Sequence, residues 1–232
     1  MRPQAIVMDV EGTTSSIRFV KDVLFVYAGQ FLPDFIRENK DERDVARQLR
    51  SMSDKTGISL RDVDGLIAQL LEWMREDKKV TELKMLQGMV WERGYKLGEY
   101  QAHIYPDVPD KLAEWRGKDI NLYVYSSGSE KAQRLFFRYS KFGDLRLNFA
   151  GHFDTTLGPK QATESYIRLA ESVALPPDEM LFISDVEAEL DAAAEAGMHT
   201  LYIVRKEEYD REPADVKSPH TVVGSFEEIE ID

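Results

Sequence analysis

Strand-length apolar runs, each separated from the next by stretches of helical spacing, leave this chain few architectures. The runs are Gln4–Asp9, Asn121–Tyr125, Met180–Ile183 and Thr200–Val204, with a shorter one at Thr221–Val223. Between the later runs, Asp107–Arg116, Glu130–Tyr139, Gln161–Val173 and Glu187–Ala196 carry helical patterns, the last closed by Gly197. Strands spaced by helices require right-handed crossovers, so the expected fold is α/β, with a doubly wound, mostly parallel sheet. The stretch 20–100 breaks this rhythm, being charged, helix-forming and without a convincing strand. Val23, Leu24, Tyr27, Phe31 and Phe35 form one helical stripe and Leu83, Leu86 and Val90 another. Between them, Ser59 is placed to cap a helix over Leu60–Lys78. The stretch reads as a helical insert placed directly after the first strand.

Composition narrows the function. Of 232 residues, 43% are apolar, enough for a real core. The net charge of −12 lacks the Lys and Arg excess that phosphate backbones or anionic membranes demand, so no nucleic acid and no membrane is expected as a partner. Without cysteine there is neither disulfide nor thiol catalysis. The strand-like stretch at the N-terminus is too short for a signal segment and no run approaches a membrane span, so a soluble, cytoplasmic protein is expected. The charge, and the lack of a long exposed apolar run, lead to the expectation of a monomer.

Polar clusters follow the strands, where open α/β sheets gather their chemistry. The first strand runs into Asp9-Val10-Glu11-Gly12-Thr13-Thr14. A carboxylate there attacks an electrophile or holds a metal, and a second one two residues later shuttles a proton. The second strand runs into Ser126-Ser127-Gly128-Ser129, hydroxyls and N–H groups suited to cradling an anion. Lys160 stands in Gly158-Pro159-Lys160, read as a helix start, against the dipole preference and so with a task of its own. The strand Met180–Ile183 ends in Ser184-Asp185-Val186-Glu187-Ala188-Glu189. Each cluster alone also reads as ordinary helix capping. Together they form a set: carboxylates at two strand ends hold one Mg²⁺, serines grip phosphoryl oxygens, a lysine balances charge, and Asp9 attacks phosphorus.

The order Asp-x-Glu, Ser, Lys, Ser-Asp resembles the haloacid dehalogenase superfamily of aspartate-nucleophile phosphotransferases. Longer blocks extend the match. Phe19–Phe25, Gly94–Gly98, His103–Val108, Tyr125–Ser129, Phe153–Lys160 and Ser184–Ala193 resemble the enolase-phosphatases of methionine salvage, the acireductone synthases. Val26 stands where that family carries proline, and Pro159 lies in a loop that varies; neither is a catalytic side chain. The resemblance implies a Rossmann-like core over residues 1–18 and 104–232 and a helical cap over 19–103. It implies a Mg²⁺-dependent reaction on a small phosphorylated diketone, 2,3-diketo-5-methylthiopentyl-1-phosphate. That substrate is first enolised and then dephosphorylated to the acireductone. Asp9 and Glu11 are then the catalytic residues, Asp9, Glu11 and Asp185 bind Mg²⁺, and Ser126, Ser127 and Lys160 contact the substrate. Glu11 reaches further than the aspartate usual in the superfamily, so direct metal binding and abstraction of the substrate proton are both open. The rival readings are a phosphatase for another small ester and a phosphoacceptor receiver domain. In a receiver the phosphorylated Asp lies on a later strand, which Asp9 and the long insert oppose.

Overall fold

The computed structural model describes residues 2–231. The chain forms two compact units, Met1–Phe19 with Gln101–Asp232, and Val20–Tyr100.

The first unit is built on six parallel strands: β1 Ala5–Met8, β2 Asn121–Tyr125, β3 Gly151–Phe153, β4 Met180–Ser184, β5 His199–Ile203 and β6 Thr221–Val223. Their order is β3-β2-β1-β4-β5-β6. All four residues of β1 are buried, as a central strand covered on both faces requires. Alternation divides them: Ala5 and Val7 join Tyr125, Tyr166, Phe182 and Leu190 in one core layer, and Ile6 and Met8 face the opposite way. Ala5 stands opposite both Asn121 of β2 and Met180 of β4. Chain order runs outward from β1 in both directions, so β1 and β4 flank the topological switch point, where a crevice opens beyond the strand ends.

Helices α5 Val108–Gly117, α6 Glu130–Arg138, α7 Thr163–Val173, α8 Glu187–Glu195 and the short α9 Lys206–Tyr209 belong to this unit. Trp115 on α5 is fully buried, stacked at a tilt against Phe226. The three-residue β3 escapes sequence reading because Gly151-His152-Phe153 carries one strongly apolar side chain and no alternation.

The second unit packs α1 Val26–Asn39, α2 Arg43–Thr56, α3 Val63–Arg75 and α4 Thr81–Leu97. Its core gathers Leu32 and Ile36 of α1, Leu49 and Met52 of α2, Leu66 and Leu70 of α3, and Leu86 and Val90 of α4. These positions recur three or four residues apart, the spacing that brings side chains onto one helical face. Two expectations change here. The stripe that starts at Val23 and Leu24 begins within a π-helical stretch, Phe19–Phe25, that leads into α1. And α3 is capped by Asp62, whose carboxylate accepts from Gly65 N, because the helix begins three residues later than Ser59 requires.

Candidate active site

Asp9 continues the ladder one residue past β1, its N–H donating to Ile183 O at 3.0 Å. The chain then turns sharply. Gly12 N donates to Ser15 O at 2.7 Å, and Thr14 and Ser15 N–H groups both reach Val10 O. Gly12 adopts φ +72°, and a Cβ there would fall within the carboxylate of Asp185. That close approach brings the loop after β1 against the loop after β4. Thr13 Oγ1 donates to Asp185 Oδ1 at 3.3 Å, and the Tyr209 hydroxyl donates to Asp185 Oδ2. Asp9 and Asp185 are both buried. Burial, and then the charge of Asp9, push the Asp185 carboxyl up to about 7.

Lys160 closes the charge arrangement. Its ammonium lies 2.8 Å from Asp9 Oδ1 and 2.7 Å from Glu189 Oε2, with the side chain 5% exposed. Burial works against the charged ammonium, but Asp9 and Glu189 outweigh it and raise its pKa. Glu189 Oε2 also accepts from Ser184 Oγ at 3.0 Å. Burial first, and the charge of Asp9 second, raise the Glu189 carboxyl to about 7. The Lys160 carbonyl accepts from the Tyr166 hydroxyl at 2.7 Å, which fixes the residue from its main chain as well. Lys160 is not at a helix start: Ala162 N bonds Pro159 O in a turn, and α7 begins at Thr163. The dipole penalty therefore never applies, and two carboxylates hold the ammonium instead.

Ser126 and Ser127 follow β2, the first buried and the second exposed. Ser126 N donates to Phe153 O at 3.2 Å. The N-cap of α6 is Ser129, which accepts from Ala132 N at 3.3 Å, so capping does not occupy the two preceding serines. Glu11 is half-buried and its backbone bridges to Ser15. Among the described residues no three carboxylate, imidazole or thiol side chains gather as a ready-made cation cage. Mg²⁺ does not need one: it binds through one or two carboxylates and keeps several waters for phosphate. Asp9 and Asp185, buried and close enough to act on each other's charge, are the carboxylates that could hold the ion. With Glu189 they set three acidic groups against one lysine, an excess that a hard divalent cation relieves.

Sequence reading missed four contributors. Glu189, four residues beyond Asp185 in the first turn of α8, reads in the sequence only as part of a helix-capping cluster. Tyr209 and Thr13 flank Asp185 from opposite ends of the chain. Arg205 is buried and forks onto Thr13 O at 3.1 and 2.8 Å, while its third nitrogen meets Asp107 Oδ2 at 2.6 Å. Its guanidinium lies 4.1 Å over the Tyr105 ring. His103 accepts from Ser16 N at 3.1 Å, a structural bond, and burial lowers its pKa.

A family model described as haloacid dehalogenase-like hydrolase matches residues 3–197. An enolase-phosphatase E1 of Pseudomonas aeruginosa (strain LESB58) is 52% identical over 89% of this chain and 92% of its own. This chain belongs to the enolase-phosphatases of the haloacid dehalogenase-like hydrolase family. The enolase-phosphatase E1 of Alcanivorax borkumensis is 48% identical over 98% of both chains. The crystal structure of the UTR4 protein of Saccharomyces cerevisiae superposes with a TM-score of 0.83 at 32% identity, covering 98% of this chain and 100% of that one. The phosphate complex of CbbY from Rhodobacter sphaeroides shares the fold, with a TM-score of 0.59, 18% identity and coverage of 97% and 96%. Enzymes of this family are generally Mg²⁺-dependent and act on small phosphorylated substrates. No helix among the described residues is long and apolar enough to cross a membrane.

Proposed function

We propose that this enolase-phosphatase acts on 2,3-diketo-5-methylthiopentyl-1-phosphate, enolising it and then releasing phosphate and the acireductone of methionine salvage. The observation that carries the reading is the buried chain Asp9–Lys160–Glu189, with Asp185 beside it, at the switch point between β1 and β4. Asp9 is the nucleophile. Its Oδ1 takes hydrogen bonds from Lys160 and from Val10 N at 2.7 Å, which orients Oδ2 as the attacking oxygen. Oδ2 attacks phosphorus, the ester P–O bond breaks, and the phosphoryl group passes to Asp9. Water then hydrolyses the aspartyl phosphate. Ser126, Ser127 and Lys160 hold the phosphoryl oxygens, and this alignment with charge balance does most of the catalytic work. Glu11 handles protons, on the acidic C–H between carbonyl and phosphate ester or on the departing oxygen.

Mg²⁺ is assigned to Asp9 and Asp185, with Glu11 as the third residue of the set; when bound it supplies positive charge for the enolate and the phosphoryl oxygens. The segments 1–18 and 104–232 are assigned as the catalytic core and 19–103 as the cap. The partner is the phosphorylated diketone, and the enzyme works as a cytoplasmic monomer. The deciding experiment follows enol absorbance and phosphate release from the diketone phosphate in one cuvette, with Mg²⁺ and with EDTA. Transient absorbance and Mg²⁺-dependent release are expected. Turnover of simple phosphate esters alone would keep the Asp9 chemistry and discard this substrate.

A further inference from the structure

Two buried polar residues take no part in that chemistry. Gln133 on α6 is 3% exposed and His152 on β3 is 7% exposed. The Gln133 amide nitrogen donates to Gly128 O and to Phe153 O, each at 2.8 Å, with Ser126 O at 3.5 Å, the limit of such a bond. Carbonyl oxygens surround that end of the amide, so it is the NH₂ end, and Oε1 is the end that faces His152 Nδ1 at 3.2 Å. Oε1 only accepts, hence Nδ1 carries the ring proton. His152 Nε2 is buried with no hydrogen-bond partner among the described residues, beside the rings of Phe137 and Phe149. A bare lone pair tolerates such a place better than an unpaired N–H does, which selects the same tautomer. Burial pushes the ring down to about 4, so it stays neutral near pH 7.

These bonds fall on the loop that carries Ser126 and Ser127. In a trans peptide the C=O of one residue and the N–H of the next point in opposite directions. Drawing Ser126 O and Gly128 O toward Gln133 therefore turns the N–H groups of Ser127 and Ser129 the other way, away from the clamp. Phe153 O, which accepts from Gln133, also accepts from Ser126 N at 3.2 Å, so one carbonyl of β3 ties both ends of the clamp. We propose that Gln133, oriented by His152, is a positioning residue that sets the phosphoryl-gripping loop 126–129 and so governs affinity for the phosphate group. The proposal rests on the assignment of that loop to the phosphoryl oxygens.

The test uses inorganic phosphate with Mg²⁺ as a competitive inhibitor, alongside kcat, KM and thermal melts. Gln133→Met keeps the length and apolar bulk but removes the bonds. It is expected to raise the phosphate inhibition constant and KM about tenfold, the scale of one lost hydrogen bond to a loop that binds a charged group, with a smaller change in kcat. His152→Leu is expected to shift both constants in the same direction, and His152→Asn, which restores a donor where Nδ1 stands, to return them to within about threefold of the parent. His152→Leu carries the test if Gln133→Met does not fold. Melting temperatures that fall while the phosphate inhibition constant stays at the parent value would overturn the proposal, leaving both residues as ordinary core. Ser126→Ala separates the two claims. If it weakens phosphate and neither clamp variant does, the clamp is wrong and the loop assignment stands; if none of the three does, the loop assignment falls with it.

Discussion

Gly12→Ala is a one-methyl test of how the two acidic loops are joined. Gly12 has φ +72°, a left-handed conformation that costs a residue with a Cβ about 1–2 kcal/mol. The new methyl would stand 3.0 Å from Asp185 Oδ1 and closer still to the rest of that carboxylate. Relieving the overlap moves the Asp185 side chain by about 1 Å or more, a misplacement that costs about 100-fold in rate. The same movement breaks the bonds from Thr13 and Tyr209 and separates Asp185 from Asp9. The stability effect is smaller: about 1–2 kcal/mol lowers the melting temperature of a chain this size by about 2–8 °C. The expectation is thus a folded enzyme with kcat/KM down about 100-fold and a right-shifted Mg²⁺ titration. Steady-state phosphate release across a Mg²⁺ series, with circular-dichroism melts on the same samples, reads both quantities. A folded variant within threefold of parent activity at parent Mg²⁺ levels would show that the two loops do not depend on this close approach.

Lys160→Met removes the cation between Asp9 and Glu189 and leaves their carboxylates without a counter-charge. Phosphate release is expected to fall at least about 100-fold, and a urea melt to show destabilisation of about 3–5 kcal/mol, less what protonation of Glu189 recovers. Arg205→Lys keeps a charge for Asp107 but loses the two-pronged hold on Thr13 O. It should lower kcat about tenfold or more while KM moves less, since one charge-assisted bond to the loop of Asp9 is worth about 1.5–3 kcal/mol. Glu11→Gln separates the half-reactions: loss of both enol formation and phosphate release makes Glu11 the enolisation base, whereas enol accumulation without release assigns it to the leaving oxygen.

The fold class was legible because strand-and-helix alternation in residues 107–223 admits almost no other layering, and each apolar run in it became a strand of one parallel sheet. What escaped depends on tertiary context. Helix α2 spaces Val45, Leu49 and Met52 correctly but is so charged that its stripe is diluted. Lys160 stands out in the sequence for a reason the structure replaces. The sequence places it at a helix start, whereas it sits in a turn and is held by carboxylates from the residue after β1 and from α8. Glu189 carried a readable signal, its spacing from Asp185, which the helix-capping reading of the same cluster also explains and so conceals. Arg205 and Gln133 carried none. Their partners are main-chain carbonyls, Thr13 O and the pair Gly128 O and Phe153 O, and no residue pattern marks which carbonyl a distant side chain will reach.

Trapping the phosphoryl group on the enzyme tests directly whether Asp9 is the nucleophile. Rapid acid quench during turnover of the diketone phosphate, followed by peptide mass analysis, should find a phosphate adduct on the peptide containing Asp9. The adduct should be absent with EDTA and in Asp9→Asn. Phosphate released at the normal rate by Asp9→Asn, or an adduct on a different residue, would contradict the account.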